Sequence, residues 1–345
     1  MAKAFFSYAA VGICAGLLLT GCGGGGGGGS SSAAPAGGTP TYTAPTTNAS
    51  VPVVATGASA TTYTGEELAA YNWFSTNRQT CGFGPLQQNA QLDTAARNHI
   101  VWMVNNNTFS HYEVAATAGF TGVTPWDRMA AAGYSGVQFG EILAGISTSN
   151  KTGFGLKGAR NLLVAPYHLM GAMQGNREIG VSVKSGGPIG SGADYTAAVT
   201  ANESYLAVDM AASHALLPQV QRSTDVLTYP CQGVTGTAYA LTAESPNPVP
   251  SRNLAVNPIG QPVFVQLLAG NVLVITSVSV TGPAGAVALL PTMTASNDPN
   301  QELLANMAII MPSAPLSPSS AYSVFITGTN NGVGFSRSFG FSTGT

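Results

Sequence analysis

Apolar positions recur at helical spacing through the first folded stretch of the chain. They alternate along short strands through its last hundred residues. Thr64-Gly65-Glu66-Glu67 ahead of Leu68 reads as a capping box, with Thr64 as N-cap and Glu67 three residues on, and predicts a first helix to about Gln79. Cys81-Gly82-Phe83-Gly84-Pro85 breaks it, because Gly and Pro do not continue a helix. Leu92, Ala95, Ala96, His99 and Met103 fall on one face of a second helix predicted over Asp93 to Asn105. A short helix is expected over Pro125 to Ala132, with Pro125 acceptable in its first turn. The apolar run Lys157 to Met173 must kink or break at Pro166. Strands are expected at Ile179–Val183 and Ser204–Asp209, where branched and aromatic residues gather. Helices enclosing a small sheet follow for residues 63–235.

From Pro246 the texture is short strands between turns: Val263–Leu268, Val272–Val280, Met307–Met311, Tyr322–Thr327 and Phe335–Phe341. Asn331-Gly332 between the last two is a hairpin signal. This pattern predicts an immunoglobulin-like β-sandwich over 246–345, with Tyr322 as a candidate corner tyrosine. The chain as a whole is expected to be α+β.

The N-terminal segment has a different character. Lys3 followed by the apolar run Phe5–Leu19 and by Leu19-Thr20-Gly21-Cys22 reads as a signal peptide over 1–21 ending in a lipobox, with Cys22 lipidated after cleavage. Residues 22–62, opening on the glycine tract 23–29 and continuing in Ser, Ala, Pro and Thr, bury nothing and read as a flexible tether. Some forty such residues span roughly 35 Å. An exported protein held on a membrane, on the periplasmic or cell-surface side of a bacterial envelope, is the expected setting.

Composition sharpens this. With 12 basic residues spread thinly and a net charge of -2, no cluster could neutralise a run of phosphates, so nucleic acid is excluded as a partner. Once Cys14 leaves with the leader, Cys81 and Cys231 remain, and an oxidising compartment favours their pairing. That bridge would close a loop worth about 4–5 kcal/mol in the chain-entropy account.

Only 8% of residues carry a charge, so His111, Glu141 and His168, each in an apolar or small-residue context, stand out as candidate chemistry. Two neutral imidazoles and a carboxylate would suit Zn²⁺ with one position open for water or ligand. They could also hold a cleft in shape as a hydrogen-bonded scaffold, or move a proton. His99 on the apolar face beside Met103 reads as a packed, hydrogen-bonded core residue, and Asp127-Arg128 as a pair that caps or pins a helix. Trp73, Trp102 and Trp126 read as core. Ser110 beside His111 has no G-x-S-x-G elbow around it to make it a nucleophile.

Taken in order, Asn77-Arg78, Gly82, Pro85-Leu86, Leu92 with Ala95-Ala96-Arg97, Phe109-Ser110-His111, Asp127-Arg128, Ala132-Gly133-Tyr134, Gly140-Glu141, Pro166-Tyr167-His168 and Ile179-Gly180-Val181 form a series. Over about 120 residues this series resembles the bacterial form of the CAP domain, the cysteine-rich secretory, antigen 5 and pathogenesis-related superfamily. The resemblance implies an α-β-α sandwich in which both His and the Glu line one cleft. Three positions depart from the pattern: Ile142 stands where the family writes Asn, and Tyr167 and Leu169 where it writes Gly and Arg. Two functions follow as expectations. The first is a lipid-anchored, non-enzymatic binding module that takes a lipid, a small apolar ligand, or an envelope or host protein at the cleft of His111, Glu141 and His168. The alternative is a Zn-dependent hydrolase acting on peptide or cell-wall material through the same residues.

Overall fold

The computed structural model describes residues 2–7, 51–52, 61–147, 153–185 and 203–345. The lipobox, Cys22 and nearly all of the tether lie outside the described residues. Of the leader only Ala2–Ser7 is described, as strand β1. No described helix is long and apolar enough to cross a membrane.

After β1 and the short β2 (Val51–Pro52) come α1 (Gly65–Thr80), β3 (Gln87–Gln88), α2 (Ala90–Asn105), α3 (Pro125–Ala131) and β4 (Gly136–Ser147). The first half closes with α4 (Phe154–Val164), α5 (Pro166–Ala172), β5 (Glu178–Ser185), β6 (Glu203–Ser213) and β7 (Gln219–Val220). Strands β1, β4, β6, β5 and β3 form one sheet in that order, antiparallel except where β3 meets β5. The chain is α+β, with five helices and several antiparallel sheets among the described residues.

Side-chain alternation along β4 and β6 divides the first half into two layers. Leu143, Tyr205 and Ala207 face Ala96, Ile100 and Met103 of α2. Ile142, Ala144, Leu206 and Val208 point the other way, into a core shared with α1, α4 and α5. Gly180 is where α2 lies closest to β5: a Cβ there would sit 2.1 Å from the Leu92 carbonyl carbon, so only glycine permits the contact.

Several boundaries differ from the sequence expectation for identifiable reasons. The capping box at Thr64 does not form, since the Thr64 side chain caps nothing. Glu67 turns instead to the backbone amide of Val183, and Asp93 Oδ1 accepts from Val181 N at 3.0 Å. Beyond Ile179 no strand among the described residues lies beside the outer edge of β5, and these carboxylates satisfy its amides. The capping box of this region is at Thr124, where its side chain and that of Asp127 cap α3 reciprocally. Helix α2 starts earlier than expected, capped by Asn89, whose Oδ1 accepts from Gln91 N and Leu92 N. Strand β4, the longest strand among the described residues, was not expected at all.

The second half comprises β8 (Leu227–Tyr229), β9 (Val263–Gln266), β10 (Leu273–Gly282), β11 (Gly285–Ala286), β12 (Met293–Thr294), β13 (Met307–Ile310), β14 (Ala321–Asn330) and β15 (Val333–Ser342). They make two four-stranded sheets, β11-β10-β14-β15 and β12-β13-β9-β8. Strand β14 alternates, burying Tyr322, Val324 and Ile326, while β9 and β13 are buried at every position. The difference has a cause in packing: the β9 sheet is also covered by the first half, where Phe83 stacks on Phe264 with centroids 6.3 Å apart. Tyr322 accepts a hydrogen bond at its hydroxyl from Ser317 N, 2.7 Å away. Strand β8 lies within residues that the sequence reading placed in the first domain, yet it is the edge of this second sheet. Cys81 and Cys231 form the expected disulfide, tying the end of α1 to the segment just after β8.

Candidate functional site

A group of buried titratable residues of the first half converges in the layer between the sheet and the helices α2 and α3. Glu141 projects from β4 on the α2 side, between Phe139 and Leu143. It is fully buried, at 0% exposure. His111 Nδ1 donates to its Oε1 at 2.7 Å, and Arg128 Nη2 donates to its Oε2 at 2.7 Å. Arg128 sits on α3, where the Thr124–Asp127 cap fixes the helix start, and its Nη1 donates to the His111 carbonyl at 2.9 Å. Both carboxylate oxygens are thereby engaged, one by an imidazole and one by a guanidinium.

A second pair lies against the first. His99 on α2 places Nδ1 2.9 Å from Glu113 Oε1 and Nε2 2.8 Å from the Ser110 carbonyl. Both ring nitrogens thus face oxygen atoms. His99 Nε2 is also 3.8 Å from Glu141 Oε1, and Arg128 Nε is 3.8 Å from Glu113 Oε1, so the two pairs form one network. Glu113 Oε2 further accepts from Thr121 N at 2.6 Å, which wraps the loop 110–124 over the cluster.

Asp209 completes the set from β6, directly opposite Glu141 in the strand register. Their surroundings shift the acidities of the two carboxyls in opposite directions. Burial opposes the Glu141 charge, but Arg128, His99 and His111 outweigh it and hold that carboxyl well below the ordinary carboxylate range. Burial and then the Glu141 charge push Asp209 well above its own ordinary range.

His168 is elsewhere. It lies on α5, which packs on the other side of β4 from Glu141, and is fully buried. Its Nδ1 pairs with Glu244 Oε1 at 3.1 Å, and the same oxygen accepts from Tyr167 N at 2.7 Å and from His168 N at 3.3 Å. Burial raises the Glu244 carboxyl, with His168 partly offsetting it. The neighbouring Tyr167 sends its hydroxyl across the junction to Asp298, and accepts there from Asn300 Nδ2 at 2.8 Å. The expectation that His111, Glu141 and His168 line one cleft is therefore corrected. The structure joins the first two and assigns the third to the contact between the halves.

The same geometry bears on Zn²⁺. Glu141 is occupied by Arg128, His168 lies across the sheet, and no group of three or more His, Cys, Asp or Glu among the described residues is placed to hold a metal ion. The residues present do not fit the coordination set that the sequence suggested.

Sequence reasoning did not pick out Glu113 or Asp209, and it gave Arg128 only a local role. A faint signal existed for Asp209: it shares the inward alternation of Tyr205, Ala207 and Ala211 in an otherwise apolar strand. Asn77-Arg78 takes a structural role, with the Arg78 guanidinium buried and donating to carbonyls that include Phe83 at 2.8 Å and Gln174 at 2.7 Å. Trp102 is core, Trp126 packs on Phe139, and Trp73 carries Arg160 over its ring at 5.0 Å. No protein-family model matches the chain, and no curated protein matches it.

Proposed function

We propose that this chain is an exported, lipid-anchored module of the bacterial envelope that works by binding, carried on a CAP-like first half and an immunoglobulin-like second half. One observation carries the non-enzymatic part. Glu141, the residue best suited to be a general base or a metal ligand, has both oxygens engaged inside a fully enclosed network. A base must reach the proton that it removes, and here Arg128 and His111 occupy the directions of approach. The His111, Glu141, Arg128, Asp209 cluster then acts as a scaffold that fixes α2, α3 and the loop 110–124 against the sheet. Anchoring rests on the leader and lipobox ending at Cys22.

Two measurements test the reading. In cells producing the full chain, Cys22→Ala should move the protein from the membrane fraction to the soluble exported fraction; a chain that stays cytoplasmic and uncleaved refutes the export. Peptide and cell-wall substrates should show no turnover that is lost in Glu141→Gln at unchanged fold. Turnover of that kind would restore the hydrolase.

A further inference from the structure

A cavity of about 610 Å³ lies in the second half and shares no residue with the charged cluster. This volume lies in the range of small-molecule sites. Its walls are built rather than loose. On one side Asn247 Oδ1 accepts from Val249 N at 2.8 Å, and Asn247 Nδ2 donates to the Arg252 carbonyl at 2.9 Å. On the other, Asn297 Oδ1 accepts from Thr294 N at 2.7 Å, and Asn297 Nδ2 donates to the Thr292 carbonyl at 2.9 Å. Met293 and Met311 are buried at its floor, and Val249 and Leu290 extend the apolar surface.

The charge around it has one sign. Arg252 lines the cavity and no Asp or Glu does. Its Nη1 donates to the Ser313 carbonyl at 2.7 Å, which holds the guanidinium in place and leaves its other N–H groups available. A fixed guanidinium beside soft thioether and aliphatic side chains selects a ligand with one anionic end and one apolar end.

We infer that this groove binds a small amphipathic monoanion, an organic carboxylate whose charged end pairs with Arg252 and whose apolar body lies on Met293, Met311 and Leu290. The site goes beyond the envelope-module reading and does not depend on lipidation or on the His111–Glu141 cluster. It also touches the junction between the halves, because Met293 Sδ is 3.8 Å from the Tyr167 hydroxyl.

The test uses the exported chain with ¹³C-methyl methionine, the Met293 and Met311 signals being assigned with Met293→Leu and Met311→Leu. Decanoate should shift both signals saturably and bind more tightly than decan-1-ol or decyltrimethylammonium. Arg252→Gln should weaken decanoate about tenfold or more and bring it to the level of the alcohol, while Arg252→Lys retains the preference. Unchanged Met103 and Met129 signals report that the variants are folded. Should Arg252→Gln fail to fold, the wild-type order of the three ligands decides alone. Equal affinity for decanoate and decan-1-ol overturns the assignment, as do shifts confined to Met103 and Met129, or none at Met293 and Met311.

Discussion

The two faces of the central sheet solve the same packing problem with opposite materials. Toward α2 and α3 the sheet presents Glu141 and Asp209, and the layer is closed by His99, His111, Glu113 and Arg128, all buried. Toward α1, α4 and α5 it presents Ile142, Ala144 and Val208, in a core that continues without a break into the second half. An apolar layer tolerates repacking, because dispersion and hydrophobic burial have little direction. A buried ion network tolerates almost none, since each member left without its partner is a desolvated charge. The first face can therefore fix the position of α3 and the loop 110–124, and the second can fuse two halves whose relative placement depends on area and a few polar contacts.

The largest break in this comparison comes from the charged face. Glu141→Ala leaves Arg128 buried without its carboxylate and should destabilise the chain by about 3–5 kcal/mol in urea titration. A loss under about 1 kcal/mol would show that water reaches Arg128 and that the face is not sealed. On the apolar side, the covalent tie comes next. Replacing Cys81 and Cys231 together by Ala should cost about 2–4 kcal/mol, read by the same titration with and without reductant on the parent chain. A smaller loss is expected from Tyr167→Phe, which removes the hydroxyl that joins α5 to Asp298 and Asn300: about 1–2 kcal/mol, with no effect on the Glu141 network. Equal hydrogen-exchange protection of β9 in parent and variant would separate that bond from the junction and sink the prediction.

The helices were legible because their apolar faces have a period, and α1, α2, α3 and the Pro166 break between α4 and α5 follow it. Strand β4 was not, because Gly136, Gly140 and Gly145 interrupt its apolar positions and read as loop. Gly145 is there for packing: a Cβ would come 2.8 Å from the Phe109 ring. Within the candidate site, His111 and Glu141 could be paired only through a resemblance, since the residues are 30 apart and nothing local links them. Arg128 looked like a helix-pinning residue because its neighbour Asp127 is one; which way its guanidinium turns is decided by β4, which was itself unread. His168 and Tyr167 show the limit most plainly. Their partners Glu244 and Asp298 lie 76 and 131 residues further on, in or before strands of the other half, and only the docked halves reveal them.

The smallest expected effect is the most discriminating, because it depends on sign. Glu141 is depressed in the folded chain, so its contribution is present above its ordinary value of 4.5 and is lost as pH falls through and below that value. Asp209 is raised, so it costs nothing in acid and subtracts from stability as pH climbs from 3.8 toward its folded value. Asp209→Asn keeps the neutral shape and removes that cost. Relative to the parent, it should lie within about 1 kcal/mol in acid and improve steadily as pH rises. Glu141→Gln should do the reverse, worsening relative to the parent as pH rises through the ordinary carboxylate range. Urea midpoints for the three proteins between about pH 3 and pH 8 give both slopes. Opposite slopes mean that one carboxyl of the facing pair is held charged and the other neutral, as the register and burial require. Parallel slopes mean that the two share a proton without preference, and the charged face is then less rigidly ordered than its hydrogen bonds imply.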